Sequence, residues 1–199
     1  MNLIERCTTD FKTKRFEKPQ WIIVHYTACL ASPIIVCDAM CRNANCKAST
    51  NYIIGGSQIV HCVDEGTYYA WHCATSNTKT YCEATNKNSI GVDMCEKKMF
   101  PARKSVSDND WYFDEETMKT AANLIAELCL KHNIELKNVV RHYDVTHKQC
   151  PRPFVGDDIN KYYNRSGNRQ WQSFKRKIAR AIERLQESKD NQDTKTDDE

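Results

Sequence analysis

The chain has 199 residues, of which 40% are hydrophobic and 28% charged, a balance that fits one soluble globular domain and argues against a disordered or fibrous chain. No apolar run approaches the roughly 18 residues of a membrane span, so stable membrane insertion is not expected. Net charge is +3, but residues 187–199 hold six acids and two lysines, which leaves residues 1–186 at +7; charge of that size does not by itself choose between nucleic acid, membrane and an anionic wall polymer.

The first ten residues, M-N-L-I-E-R-C-T-T-D, lack the basic start, apolar stretch and small-residue cleavage pattern of a secretory signal, so synthesis in the cytoplasm is expected. Eleven cysteines are many, but the number is odd and the chain is not small, which weakens a disulfide-scaffold reading. W-I-I-V-H-Y-T, residues 21–27, predicts a buried strand ending in polar groups. Ser32 followed by Pro33 predicts an N-cap and first turn, opening a short helix to about Arg42. N-Y-I-I and S-Q-I-V-H-C-V, joined by Gly55 and Gly56, predict a hairpin. Cys37, Cys41 and Cys46 have the spacing of a possible metal cluster, although Cys37 and Cys41 share one helix face and read more simply as core thiols.

S-I-G-V-D-M-C, residues 89–95, predicts another strand. Asp114 predicts the cap of a helix whose first turn holds Glu115 and Glu116 and whose buried stripe is Met118, Ala121, Ala122, Ile125 and Leu128. N-V-V-R predicts a short strand leading to His142, and a last helix carries Trp171, Phe174, Ile178, Ile182 and Leu185 on one face. The acidic stretch 187–199 has no apolar periodicity and predicts a disordered tail after a domain spanning 1–186. The order of elements predicts an α/β fold in a single domain, a mixed central β-sheet flanked by helices on both faces. No second apolar block suggests a separate wall-anchoring domain.

Two imidazoles, His25 and His142, stand at predicted strand ends, and Cys150 lies eight residues past the second. Two histidines and a thiolate form a three-ligand zinc set with a fourth position open, the pattern of catalytic zinc. A lone strand-end histidine is more often a hydrogen-bonded structural residue, so spacing alone leaves the set only suggestive.

The blocks W-I-I-V-H-Y-T, S-T-N-Y-I-I-G-G, A-W-H-C, N-S-I-G-V-D-M-C and R-H-Y-D-V-T-H-K-Q-C-P, in this order, resemble the zinc-dependent N-acetylmuramoyl-L-alanine amidases, a family that includes endolysins of the phage lysozyme type, autolysins and peptidoglycan recognition proteins. The resemblance covers roughly residues 20–185. It implies a zinc ion held by His25, His142 and Cys150, with Lys148 stabilising the oxyanion, a contribution of a few kcal/mol. It implies hydrolysis of the amide between N-acetylmuramic acid and L-alanine, with peptidoglycan as the partner, no nucleic acid, and a monomer. Some members use a tyrosine base where this chain has Thr50; others use a glutamate where it has Asp93, whose side chain is one methylene shorter. Asp93 is therefore the expected base; Thr50 and Tyr52, placed on one face by strand alternation, are candidates for the substrate side, although Tyr52, as a substitute for the missing tyrosine base, reads more simply as a core residue. His72 in A-W-H-C matches a groove-lining position and is expected as a substrate contact, against a structural hydrogen bond. His61 and His147 match no ligand position, and His132 reads as a helix-terminal residue facing the dipole.

Three functions follow as expectations: the zinc amidase, acting on the wall as a phage or prophage lysis enzyme after release from the cytoplasm; a peptidoglycan-binding protein without catalysis; and a cysteine hydrolase pairing Cys150 with His142.

Overall fold

The computed structural model describes residues 2–5, 11–42, 47–75, 77–102 and 105–196. In chain order the elements are β1 (Asn2–Glu5), β2 (Lys12–Lys14), β3 (Trp21–Tyr26), α1 (Pro33–Arg42), β4 (Tyr52–Gly55), β5 (Gln58–His61), β6 (Tyr68–Ala70), β7 (Ser89–Met94), β8 (Lys97–Lys98), β9 (Trp111–Tyr112), α2 (Glu115–His132), β10 (Val139–Arg141), α3 (His142–Thr146), β11 (Ile159–Asn160), β12 (Arg165–Ser166) and α4 (Gly167–Thr196). Six strands form one mixed sheet in the order β1-β5-β4-β7-β3-β10, and the other six make two-stranded pairs around it.

Strands β4, β7, β3 and β10 run parallel to their neighbours, so their carboxyl ends emerge along one edge; β5 returns antiparallel to β4 as the predicted hairpin. Parallel strands buried on both faces read as continuous apolar runs, which is what residues 21–26 and 89–94 look like. Alternation divides their side chains. Ile22, Val24, Ile54, Ile90, Val92 and Met94 point to one face, packed by Met118, Ala121 and Ile125 of α2 and Trp171, Phe174 and Ile178 of α4. Burying each of the larger of these side chains is worth roughly 1.5–3 kcal/mol. On the other face Ile53 and Val60 pack under Val36 and Cys37 of α1, while Ile23 meets Ala74, Ala84 and Val145. Helices thus cover both faces, as the element order implies.

Helix α2 begins where its capping chemistry places it. Asp114 accepts from the Thr117 amide at 2.8 Å, Glu115 and Glu116 occupy the positive first turn, and Asn133 ends the helix in the left-handed region at φ 55°. Cys37 is buried and Cys41 packs beside it, as core thiols; Cys46 lies outside the described residues. Helix α4 runs on past residue 186 to Thr196. Once a helix is nucleated, each added residue gains one backbone hydrogen bond, and the apolar face needed to nucleate it lies upstream. Residues 197–199 are outside the described set. Among the described residues, no helix is long and apolar enough to cross a membrane.

The start of α4 rests on a close approach. A Cβ added at Gly167 would lie 2.4 Å from the Val155 carbonyl oxygen and 2.6 Å from its nitrogen, both backbone atoms that cannot swing aside. Gly167→Ala is therefore expected to lower stability by about 1–3 kcal/mol, measured as a shift of the urea midpoint.

Candidate metal centre

The parallel register brings the site together. His25 on β3 stands directly opposite Asp93 on β7, and Arg141 of β10 stands opposite Val24, so the next residue, His142, arrives beside His25 as α3 begins. Side chains at the carboxyl ends of adjacent parallel strands converge in this way because the strands stop at a common edge. Helix α3 was not evident in the sequence; it is five residues long, and His147 closes it in the left-handed region at φ 61°. That reversal carries the chain back, and the Tyr143 amide donates to the Cys150 carbonyl at 2.8 Å, which seats the thiol over the same point.

His25 Nδ1 lies 3.0 Å from His142 Nδ1 and 3.7 Å from Cys150 Sγ, and one ligand atom from each residue falls within 4.8 Å of the other two. All three residues are buried. Tetrahedral zinc with these donors needs about 3.3 Å between nitrogens and about 3.6 Å between nitrogen and sulfur, so both distances from His25 Nδ1 lie within a few tenths of an ångström of what a zinc ion needs. Electrostatics point the same way. Burial lowers His25 well below its ordinary pKa, with His142, His72 and Lys148 adding to it. Burial and Lys148 bring His142 down to about 4. Burial pushes the Cys150 thiol up to about 12 against smaller opposing effects. Burial, with Asp93 and Glu96 adding to it, opposes ionisation of the Cys150 thiol, and a bound divalent cation is the charge that makes a thiolate favourable there.

Asp93 is buried, and desolvation pushes its carboxyl up to about 7 against the smaller pulls of Thr50 and Lys148. Neither Asp93 Oδ1 nor Thr50 Oγ1 has a hydrogen-bond partner of good geometry. Lys148 is exposed, on the rim of a cleft of about 580 Å³ whose walls include Trp71, His72, Lys47, Lys87 and His142. Among the described residues, no acidic side chain lines that cleft.

Two of the residues weighed as substrate contacts do not line the cleft, and Tyr52 lies in the core, as its simpler reading has it. Thr50 is 1% exposed, pressed against Gly91 and beside Asp93, and does not line the cleft. Tyr52 points to the opposite face of the sheet, inside the α2–α4 core, where its hydroxyl donates to Glu65 at 2.8 Å. The alternation that paired them fails because Thr50 and Asn51 precede β4, and the Asn51 carbonyl accepts from both Cys62 and Val63 amides, an irregular pairing that breaks the period.

His72 lines the cleft, and its ring also reaches inward to the metal ligands: Nδ1 lies 3.0 Å from His25 Nε2, and Nε2 lies 3.2 Å from Ser89 Oγ. Burial, His142 and Arg15 bring its pKa down to about 3. Ser89 escaped notice in the sequence, although counting back by twos from Asp93 along the strand places it on the site face. So did Glu96, which is buried just past β7 and accepts from the Thr27 amide and hydroxyl, both at 3.1 Å, tying down the end of β3 beyond His25. Burial pushes Glu96 up to about 7. Its signal was an acid two residues past the end of a mostly apolar strand. His147 stacks on Tyr81 at the surface, with ring centroids 3.6 Å apart, and His61 lies on the far face of the sheet with Glu65.

Comparison with known proteins agrees with this geometry. A family model described as N-acetylmuramoyl-L-alanine amidase matches residues 15–153, a span that takes in both histidines and the cysteine. The N-acetylmuramoyl-L-alanine amidase CwlL of Bacillus licheniformis is 31% identical over 150 residues, 68% of this chain and 37% of that protein. CwlH of Bacillus subtilis, another amidase of that name, is 29% identical over 153 residues, 73% of this chain and 52% of that protein. The chain thus spans about a third to a half of the length of these curated relatives. Among solved structures, a mutant endolysin from Bacillus subtilis superposes with a TM-score of 0.66 at 24% identity, covering 89% of this chain and 99% of that one. An ectodomain complex of peptidoglycan recognition proteins gives 0.55 at 12% identity, covering 84% and 99%, a likeness of fold. With a family model matching well over half its length and a relative above 30% identity across two thirds of it, this chain belongs to the N-acetylmuramoyl-L-alanine amidase family.

Proposed function

We propose that this chain hydrolyses the amide joining N-acetylmuramic acid to the L-alanine of the peptide stem in bacterial peptidoglycan, using zinc held by His25, His142 and Cys150. The observation that carries the reading is the convergence of ligand atoms from three buried residues within 4.8 Å, beside an open cleft that Lys47, Lys87 and Lys148 line. Bound zinc supplies Lewis acidity to a carbonyl oxygen and to water. The remaining work falls to the chain. In this reading the lactyl amide lies in the cleft that His142 and Lys148 line, and the Lys148 ammonium faces the negative charge that grows on the carbonyl oxygen. Asp93, whose buried carboxyl sits near neutrality in its affinity for a proton, accepts one from the attacking water and returns it to the departing amine. The setting that fits is lysis of a bacterial wall by a phage or prophage enzyme, the basic body favouring an anionic polymer.

The test is release of free amino groups and soluble glycan from purified cell wall, abolished by a chelator and restored by zinc. Binding without turnover at full zinc occupancy would identify a recognition protein instead. Asp93→Asn is expected to lower turnover about 10²- to 10⁴-fold with the zinc content unchanged, measured by single-turnover release and metal analysis on the same preparation.

A further inference from the structure

A file of hydrogen bonds runs from the backbone to the metal centre, and its proton count can be followed from one end. Ser89 Oγ donates to the Thr85 carbonyl, a group that can only accept. The serine hydroxyl has a single proton, so toward His72 it must accept; the contact at 3.2 Å is therefore His72 Nε2–H donating to Ser89 Oγ. A neutral His72 then presents a bare Nδ1, and the 3.0 Å contact with His25 is His25 Nε2–H donating to it. A neutral His25 is left with its lone pair on Nδ1, the atom that faces His142 Nδ1 and Cys150 Sγ. The opposite polarity would place a proton on His25 Nδ1, the atom nearest both other ligands.

We infer that His72, anchored by Ser89, is a positioning residue that sets the His25 tautomer and ring orientation, so that His25 Nδ1 is held ready for the metal. The residues around it are built to keep it there. The His72 and Cys73 amides donate to Asn86 Oδ1 at 3.2 and 2.7 Å, which fixes the backbone under the ring. Gly91 gives the ring its room: a Cβ there would lie 2.7 Å from His72 Cγ and 2.9 Å from Thr50 Oγ1. A glycine in the middle of a fully buried strand is a cost to the strand itself, and the imidazole lying across it is what that cost makes space for. The far ring nitrogen of a ligating histidine is commonly held by a carboxylate, carbonyl or water; here a second imidazole and a serine hydroxyl transmit the polarity of a backbone carbonyl.

The inference rests on the metal-centre reading, and its test is zinc affinity, measured by chelator competition without substrate. His72→Ala is expected to weaken zinc binding about 10- to 100-fold, and Ser89→Ala to weaken it in the same direction by less. His72→Asn, whose amide oxygen takes the place of Nδ1 as acceptor, should recover part of the loss. Nitrogen chemical shifts of the metal-free protein should show His25 protonated at Nε2 in the wild type and a mixture of tautomers in Ser89→Ala. Wild-type affinity and an unchanged tautomer in both alanine variants would overturn the inference, as would a rise in KM alone in His72→Ala, which is the signature of a substrate contact. If the wild-type chain itself takes up no stoichiometric zinc, the metal-centre reading fails instead, and the two failures are told apart in one titration. Should His72→Ala not fold, Ser89→Ala and His72→Asn carry the test.

Discussion

Cys150→Ala is expected to drop the zinc content from about one ion per chain to a minor fraction, and with it the hydrolysis of purified wall. Cys150 is 3% exposed, and the substitution leaves two imidazoles and a hole where the third donor stood. Two nitrogen donors bind zinc far more weakly than three ligands that meet at one point, and losing the thiolate also removes the negative charge that neutralises half of the ion's own. Cys150→Asp, which offers a carboxylate oxygen in place of the thiolate, should retain part of the metal. The outcome also separates the hydrolase from a cysteine-nucleophile enzyme: a nucleophilic Cys150 predicts inhibition by alkylation, indifference to chelators and zinc-independent turnover. Stoichiometric zinc retained by the alanine variant would remove Cys150 from the centre.

Glu65→Ala is expected to destabilise the fold by about 3 kcal/mol, although Glu65 lies on the far face of the sheet from the chemistry. Its side chain is fully buried and accepts from Tyr52 Oη at 2.8 Å, Lys131 Nζ at 2.7 Å, His61 Nε2 at 3.1 Å and His132 Nε2 at 3.4 Å. These four come from β4, β5 and the last turn of α2, so one carboxylate joins the hairpin to the helix that covers it. Burial alone would raise its pKa, but the hydrogen bonds from His132, His61, Lys131 and Tyr52 together outweigh that and hold it well below the usual carboxylate range. Lys131 is largely exposed and can turn to water in the variant; the Tyr52 hydroxyl cannot, which is where most of the loss arises.

The pH dependence follows from the two shifts. A depressed Glu65 contributes fully above its unfolded value of 4.5, and that stability is lost as pH falls through its folded value. For His61, burial lowers the pKa, yet its bonds to Glu65 and Glu5 win and raise it above 6.5; its contribution is fully present below 6.5 and lost as pH rises through the folded value. The stability gap between wild type and Glu65→Gln is therefore expected to be widest between pH 4.5 and 6.5 and to narrow on either side, read from urea midpoints across a pH series. A gap that stays flat over that series would show that Glu65 acts through packing alone.

Much of this protein is legible along the chain because its strong elements carry their own local chemistry. Asp114 with Glu115 and Glu116 announces the start of α2 by satisfying amides that have no partner within the helix, and the stripe from Met118 to Leu128 follows from the helical period alone. The runs 21–26 and 89–94 are mostly apolar on both faces, as strands covered on both sides must be, and their polar exceptions His25, Ser89 and Asp93 fall on the face that carries the site. The three candidate metal ligands were also within reach, since the five blocks occur in order, but what the blocks gave was residue types and spacing. That His25, His142 and Cys150 meet depends on the register of β10 against β3 and on the left-handed turn at His147, and neither is encoded by any one of the three.

What stayed hidden did so for one physical reason: each feature depends on residues far apart in the chain. Strand β1 is four residues long and gains its hydrogen bonds only from β5, more than fifty residues away. Tyr52 was placed with Thr50 by a period that holds inside a strand and fails one residue before it. Ser89, His72 and Gly91 are unremarkable apart, and only the packed sheet sets an imidazole across a glycine with a serine behind it. Local hydrogen bonding and apolar period decide where elements begin and end, and these can be read from neighbouring residues. The tautomer of a buried histidine, the partner of a buried carboxylate and the meeting point of three ligands are decided by contacts that exist only once the chain has closed on itself.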